Sequence, residues 1–315
     1  HSEIKVGMIG GYPVALVGSG LDQDSMQAFL YCYDMNTGEL LGEVKLSEGV
    51  GAMRNKASRP ALVDQTLDGN VDLIYISDMV GNVYRIKTNG SPKPDGWTMT
   101  GLYAGTQEIT ADPVVAYAEN GSFYVYFGTG AYLDDPDLLT TDQQSFICVY
   151  DMHDGTTATK AQLANQTSSI GEIGGYKGWY VNLWNAPGER VTQQAVVVAE
   201  TVVFTSFMPS DDVCVAGGYS WLYQMRYDDG GRADDEDSSD AGGRSEDIGE
   251  GVASYPVVDL NAGEVVVQSS DASIEVAPIQ AVIIRMAVRA WRETFEGANQ
   301  GDQTAQTGPE TGGLQ

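Results

Sequence analysis

The chain has 315 residues, enough for one large domain or two ordinary ones, and its 42% hydrophobic content is sufficient to form a core. With 44 acidic against 17 basic residues, its formal net charge of -27 repels phosphate backbones and anionic membranes, which argues against nucleic acid as a partner. The longest apolar stretches are short and are interrupted by Glu200 and Arg285, so no membrane-spanning segment is predicted. This charge instead suits a surface or secreted protein that lives among divalent cations.

The three cysteines form no metal or redox motif. Cys32, Cys148 and Cys214 show neither CxxC nor CxxCH spacing, which argues against a zinc ribbon, a redox dithiol or a covalently attached haem. Cys32 and Cys148 lie within strand-like runs and are predicted to be buried. Cys214 lies in a loop-like segment and could pair with a cysteine outside this sequence.

Short alternating runs and 38 glycines predict an all-β chain with tight turns. Self-similarity is the most informative signal, because FLYCYDMNTG at Phe29 returns as FICVYDMHDG at Phe146 and as WLYQMRYDDG at Trp221. Each copy belongs to a unit of three or four strands, and the first strand of a unit is often entered by a proline. The five units contain, in chain order, KVGMIGGYPVALVGSG with AFLYCYDM, RPALVD with VDLIYISD and GNVYRIK, DPVVAY with FYVYFGTG and SFICVYD, QAVVVAETVVFTSF with SWLYQMRY, and YPVVDL with GEVVVQSS and ASIEVAP.

Sheets this small cannot bury their faces alone, so the units are expected to stack as the blades of a β-propeller. About five blades fill only part of a ring of roughly six to eight, and further blades are expected before His1. Residues 1–296 are assigned to the propeller, with a strand that passes into a short helix over 281–296, and residues 297–315 to a flexible polar tail. The acidic run 228–247 is interpreted as a solvated insertion.

The loop between the first two strands of the second unit carries oxygen-bearing side chains at alternate positions. Gly69 follows the third of them, where a tight coil must turn sharply. This is the spacing of a calcium loop, in which alternate oxygens point toward one centre. The predicted Ca2+ ligands are the side chains of Asp64, Thr66, Asp68 and Asp72 and the backbone carbonyl of Asn70.

Two departures separate this loop from a helix-flanked calcium hand. Thr66 stands where an acid is usual, and Tyr75 stands where a bidentate glutamate would close the site. The site is therefore expected to select calcium by its oxygen ligands without being among the tightest. The alternative interpretation is an Asp-Gly turn between two strands that is polar because it is exposed.

The loop and the strand after it resemble the type IV pilus tip-associated adhesin family, the PilY-type proteins, in their C-terminal propeller. In that family the strand ends in a Gly-Asp-x-x-Gly-Asn pattern followed by an arginine. Ser77 replaces the first glycine here, whereas Asp78, Gly81, Asn82 and Arg85 match. The resemblance extends from Ser2 to about Glu296 through ITADPVVAY, FGTGAYL, QQSFICVYD, GWYVNL, GERV and FTSFMPSDDVCVAGGYSWLYQM.

This resemblance implies a modified seven-bladed, quinoprotein-like propeller at the C-terminal end of a longer protein. Such proteins are exported through the periplasm to the pilus tip, where they support pilus biogenesis, oppose retraction and mediate adhesion to host cells or abiotic surfaces and twitching motility. The implied partners are minor pilins of the tip complex, and the implied cofactor is Ca2+ in the loop. No Arg-Gly-Asp triplet occurs, so integrin binding is not carried over.

Two rival functions stay open. A quinone-cofactor dehydrogenase also repeats a turn like YCYDMNTG, but Gly42 stands where a docking tryptophan is expected and no adjacent cysteine pair occurs. His1 and His153 are the only histidines, which argues against a Ser-His-Asp triad or a His-ligated metal, so a non-enzyme is predicted. The second rival is a generic cell-surface binding propeller. It differs from a pilus protein only in that it would not be found together with pilin and minor pilins. The segment 188–190 and Arg85 are expected to form structural ion pairs or backbone clamps.

Overall fold

The computed structural model describes residues 3–21, 26–49, 55–118, 121–212, 217–234 and 241–280. Over these ranges the chain forms β-strands and a few short 3-10 turns, so the all-β prediction is confirmed. None of the helical segments in these ranges is long and apolar enough to cross a bilayer. Cys214, the segment 281–296 and the predicted tail 297–315 lie outside the described residues.

Five sheets follow one another along the chain, and each coincides with one of the five repeat units. In four of them the strand order follows the chain, whereas the third has the order β12-β13-β11-β10-β9 with β12 parallel to β13. Sheets 1 and 2 contain β1 (Lys5–Ile9), β2 (Tyr12–Gly18), β3 (Gln27–Asp34) and β4 (Leu40–Glu48), and then β5 (Ala61–Val63), β6 (Leu73–Ser77), β7 (Asn82–Lys87) and β8 (Thr98–Ala104). Sheet 3 contains β9 (Val114–Tyr117), β10 (Phe123–Gly128), β11 (Ser145–Asp151), β12 (Ala164–Asn165) and β13 (Gly178–Asn182). Sheets 4 and 5 contain β14 (Val196–Val198), β15 (Thr201–Pro209), β16 (Gly218–Arg226) and β17 (Ser245–Glu250), and then β18 (Val257–Asp259), β19 (Glu264–Gln268) and β20 (Ile274–Pro278).

The first strands of consecutive sheets lie side by side. β1 contacts β5, β5 contacts β9, β9 contacts β14, and β14 contacts β18. Because each sheet then continues outward strand by strand, the five sheets radiate from their first strands, as the blades of a propeller do. The size of the complete ring and the presence of blades before His1 stay predictions.

The hydrophobic core lies between the sheets, not within any one of them. Four buried clusters join sheet 1 to 2, 2 to 3, 3 to 4 and 4 to 5. At the third junction Phe146 and Phe204 stack with ring centroids 3.8 Å apart and planes 5° from parallel. Trp179 is fully buried in the same cluster, and Trp184 and Trp221 pack against it. Burying such aromatic area is what holds neighbouring blades together.

Tyr126 adds a polar tie to this junction, since its hydroxyl donates a 2.7 Å hydrogen bond to the carbonyl of Tyr227 in the next sheet. Replacing Tyr126 by phenylalanine is expected to lower the free energy of unfolding by about 1 kcal/mol, because the carbonyl of Tyr227 loses this short hydrogen bond and keeps the longer one from Trp179 Nε1 at 3.4 Å. Urea denaturation measures this. Tyr12→Phe is the matched control, because the Tyr12 side chain is exposed. Equal urea midpoints for the two variants would show that the Tyr126 hydrogen bond does not stabilise this junction.

The acidic run 228–247 differs from the predicted solvated insertion at both ends of its described part. Its last residues open strand β17, which pairs with β16 and completes sheet 4. Arg244 within the run is only 1% exposed and donates to the carbonyls of Gln166, Thr167 and Gly230. The prediction of a wholly solvated run was therefore wrong, because one buried guanidinium ties its end to sheet 3.

Candidate metal centre

The predicted calcium loop is the connection between β5 and β6. The amide of Asp72 donates to the carbonyl of Val63 at 2.9 Å, which closes the loop directly above the strand pair. Gly69 adopts a left-handed conformation with φ 88°, as does Leu67 with φ 58°. A non-glycine residue is strained there, so the sharp turn predicted at Gly69 is present and uses its conformational freedom.

Asp64 organises the first half of the loop. Its carboxylate accepts the amide of Asp68 at 3.1 Å and the amide of Gly69 at 2.7 Å. These bonds draw the backbone into a tight coil around the first carboxylate, with the side chain of Asp68 fully exposed above it. The pKa of Asp68 is lowered, chiefly because its carboxylate accepts the backbone amide and then the side-chain amide of Asn70. Asp68 is therefore held in its ionised form.

Asp72 organises the second half. Its Oδ2 accepts both the amide and the hydroxyl of Thr66 at 3.0 Å. The five predicted ligand positions thus lie in one closed loop, but their carboxylates are turned toward loop donors. Over the described residues no group of three or more His, Cys, Asp or Glu side chains is arranged to hold a metal ion. The donor set fits calcium by chemistry, since every predicted ligand atom is an oxygen.

The loop is hydrogen-bonded to the sheets on both sides of its own. Toward sheet 1, the side-chain oxygen of Asn70 accepts the amide of Gly11 at 2.9 Å. Toward sheet 3, the hydroxyl of Tyr117 donates to the carbonyl of Asp64 at 2.6 Å, and Gln65 donates to the carbonyl of Gly121 at 3.2 Å. The loop spacing alone assigns no role to the Asn70 side chain or to Gln65. In the structure they join three consecutive sheets.

A buried ion pair lies at the junction of sheets 2 and 3. Arg85 on β7 pairs with Asp151 at the end of β11 across 2.6 Å, with 8% and 3% of their side chains exposed. Asp151 also accepts the hydroxyl of Tyr75 at 2.8 Å and the amide of His153 at 2.9 Å. The prediction that Arg85 forms a structural ion pair between blades is confirmed. Desolvation raises the pKa of Tyr75, so its hydroxyl stays a donor.

The residues after β6 that match the family pattern, Asp78, Gly81 and Asn82, also have a structural role. Asp78 is fully buried and accepts the amide of Asn82 at 2.8 Å and the hydroxyl of Tyr84 at 2.9 Å; Ser47 on sheet 1 donates to it as well. Gly81 has φ 106°, and a Cβ there would lie 2.7 Å from the carbonyl oxygen of Gln107. The motif therefore shapes a tight hairpin and fastens it to a neighbouring sheet.

Glu189 is a second buried carboxylate whose partners are all neutral. Its carboxylate accepts the amide of Asn185 at 2.8 Å, the hydroxyl of Tyr223 at 2.6 Å and the hydroxyl of Ser206. Burial and the nearby Glu189 carboxylate raise the pKa of Tyr223. Hydrogen bonds from several donors are what allow a buried carboxylate to persist without a cation.

Arg190 forms the predicted backbone clamp. Its guanidinium donates to carbonyls on the loop after β10, while its own amide and carbonyl pair with Phe207 of sheet 4 at 2.9 and 2.8 Å. The carbonyls that accept from Arg190 belong to Ala131, Asp137, Thr140 and Gly188. Arg244 is a second clamp of the same kind, and its guanidinium also lies 4.8 Å from the ring of Trp184. Sequence reasoning missed Arg244 because it lies within the acidic run.

Sheets that radiate from their first strands, together with an acidic loop tied to three of them, define a β-propeller domain with a candidate calcium loop. A family model described as the PilY1 beta-propeller domain matches residues 5–172, more than half of the chain. The chain belongs to the PilY1 β-propeller domain family.

Relatives and a solved structure agree with this assignment. The chain is 25% identical over 263 residues to a type IV pilus biogenesis factor PilY1 homolog of Xylella fastidiosa (strain Temecula1 / ATCC 700964), covering 70% of this chain and 18% of that protein. It is 23% identical over 300 residues to the type IV pilus biogenesis factor PilY1 of Pseudomonas aeruginosa (strain UCBPP-PA14), covering 70% and 26%. The chain thus matches only about a fifth to a quarter of these relatives' length. The crystal structure of the Pseudomonas aeruginosa PilY1 C-terminal domain superposes with a TM-score of 0.67 and 19% identity, covering 88% of this chain and 72% of that one.

Proposed function

We propose that the chain is the calcium-binding propeller of a type IV pilus tip-associated adhesin, which acts outside the cell at the pilus tip. In that role it supports pilus biogenesis, opposes retraction and mediates surface adhesion and twitching motility. Family membership and relatives named as type IV pilus biogenesis factors support the pilus assignment. The observation that carries the calcium assignment is the loop 64–72, whose regularly spaced oxygens lie in one coil bonded to three sheets.

Calcium would be held by side-chain oxygens of Asp64, Thr66, Asp68 and Asp72 and by the backbone carbonyl of Asn70. When bound, the ion supplies positive charge to three carboxylates crowded into nine residues. The carboxylates of Asp64 and Asp72, which accept loop amides in the structure, would be among the groups that hold the ion.

The consequence for the propeller follows from the loop's neighbours. Gly11 on sheet 1 and Tyr117 on sheet 3 are both bonded to loop residues, so an ordered loop fixes three blades relative to one another at this edge. A loop state regulates pilus function only if a partner prefers that state. Minor pilins of the tip complex are the proposed partners, docking beside the loop.

Calorimetric titration of calcium into chelator-stripped protein tests the metal site. Wild-type protein is expected to bind one ion, and the double variant Asp64→Ala with Asp68→Ala is expected to bind none. The control pair Asp135→Ala with Asp142→Ala removes the same charge from exposed positions outside the loop and is expected to bind as wild type does. Calcium at about a hundred times its Kd is expected to raise the stability of wild type by about 2.7 kcal/mol. Equal binding by both double variants would contradict the loop assignment.

Regulation is tested separately in bacteria that carry Asp72→Ala in the full-length protein. Loss of calcium binding is expected to change surface piliation and the width of the twitching zone. The Asp135→Ala variant serves as control. If Asp72→Ala abolishes calcium binding while piliation and twitching match wild type, calcium occupancy does not govern the pilus.

A further inference from the structure

A concave site separate from the calcium loop lies between sheets 3 and 4. It is a cavity of about 600 Å³, within the size range of small-molecule sites. Its walls are the end of the β10–β11 strand pair, the glycine-rich turn 171–178, and the turn that follows β16. The three walls come from distant parts of the chain, so the site exists only in the folded propeller.

Tyrosine rings form one wall of this cavity. Tyr124 and Tyr150 face each other across the strand pair with ring centroids 5.1 Å apart, and Tyr227 supports Tyr124 edge-on at 5.4 Å. Tyr176 on the glycine-rich turn lines the cavity from the opposite chain segment and is 48% exposed. Aromatic faces carry negative electrostatic potential, so such a wall attracts cations.

The polar groups of the cavity are mostly acidic. Glu172, Asp228 and Asp229 line it together with a single described basic residue, Lys177. Lys177 is paired with Asp154 at 2.7 Å. Asp229 is likewise occupied, because it accepts Arg226.

Asp228 differs from its neighbours. Its Oδ1 is buried and has no hydrogen-bond partner among the residues that the structure describes. Desolvation and the adjacent Asp229 raise the pKa of Asp228, and the nearby backbone amides together with Arg226 offset part of that rise. A buried acceptor of this kind lowers the stability of the fold unless a donor forms a hydrogen bond to it.

We propose that this cavity binds an organic cation, a guanidinium or alkylammonium group on a hydrocarbon stem, with the head group donating to Asp228 and the stem lying on Tyr124, Tyr150 and Tyr176. Such a group supplies the missing hydrogen-bond donor, the opposite charge and an apolar surface for the rings. The glycines at 174 and 175 keep side chains away from the opening. A neutral sugar would bring hydroxyl donors without the charge, and inorganic cations would lack the apolar stem.

The proposal is tested by titrating purified protein with agmatine and, separately, with an acetylated and amidated Gly-Arg-Gly peptide, following tyrosine fluorescence and heat. Both probes carry the same guanidinium group. If the peptide binds at least as well as agmatine, the natural source of the bound cation is a protein side chain. Agmatine binding without peptide binding identifies a free cation. Asp228→Asn is expected to weaken binding about tenfold or more, because it removes the charge and leaves the shape.

Two further variants separate the site from bulk charge and from misfolding. Asp211→Asn removes one exposed acidic charge elsewhere and is expected to bind within about twofold of wild type. Tyr176→Ala removes an exposed ring without touching the core and is expected to weaken binding several-fold. All variants should keep the wild-type Tm. Equal binding by wild type and Asp228→Asn, no binding of either cation, or binding of N-acetylglucosamine in place of agmatine would overturn the proposal.

Discussion

Replacing Asp151 by alanine is expected to lower the free energy of unfolding by about 3–5 kcal/mol, because it leaves a buried guanidinium without its counter-charge. Arg85 is 8% exposed in its side chain, and among the described residues its Nη1 would keep only His153 Nδ1, at 3.1 Å, as a side-chain partner. Its Nε already has no hydrogen-bond partner among the described residues. The hydroxyl of Tyr75 loses its acceptor in the same substitution.

Asp154→Ala is the matched control for this prediction. Asp154 lies three residues further along and pairs with Lys177, but 39% of its side chain is exposed, and exposed ion pairs contribute about 1 kcal/mol or less. Urea unfolding of both variants beside wild type gives the comparison. A loss at Asp151 no larger than that at Asp154 would show that the ion pair between sheets 2 and 3 does not hold the blades together.

Much of the fold could be predicted because its signals are local. Runs of apolar and aromatic residues mark strands such as β10 and β15, and repeated segments such as those at Phe29 and Phe146 mark equivalent third strands. The outer strands were harder, since β4, β12 and β17 contain many polar or glycine residues and pair on one side only. These segments are strands because they pair with a neighbouring strand at the edge of a sheet, and their composition alone does not show this.

The loop spacing predicted which residues share one coil, because alternate positions within nine residues are a local pattern. The same pattern could not show that Asn70 would bond to Gly11 or Asp64 to Tyr117, since those contacts span 59 and 53 residues. Asp151 was equally invisible among 44 acidic residues until its partner Arg85, 66 residues away, was placed beside it. Which polar residues pair across blades depends on how the sheets stack, and a local sequence pattern does not show that stacking.

The Arg190 clamp is also expected to contribute strongly to the stability of the fold. The Arg190 side chain is buried at 2% exposure, and its guanidinium donates to four carbonyls. Its bonds reach Gly188 at 2.8 Å, Ala131 at 2.7 Å, Asp137 at 2.8 Å and Thr140 at 2.9 Å. Hydrogen bonds from a charged donor contribute about 1.5–3 kcal/mol each, and carbonyls left without donors add a penalty. Arg190→Met keeps the stem's packing but removes all four, so a loss of about 4 kcal/mol or more is expected.

Arg190→Lys tests whether charge or geometry matters at this position. A lysine keeps the charge but cannot fork across carbonyls on two sides, so most of the loss is expected to persist. Lys87→Met removes one positive charge from an exposed strand end and is expected to leave stability within about 0.5 kcal/mol of wild type. Limited proteolysis adds a local readout, because Arg190→Met frees the loop 131–140 from its clamp and should be cleaved there first. If Arg190→Lys matches wild type in both stability and cleavage, the clamp works by charge alone and the carbonyl geometry contributes little.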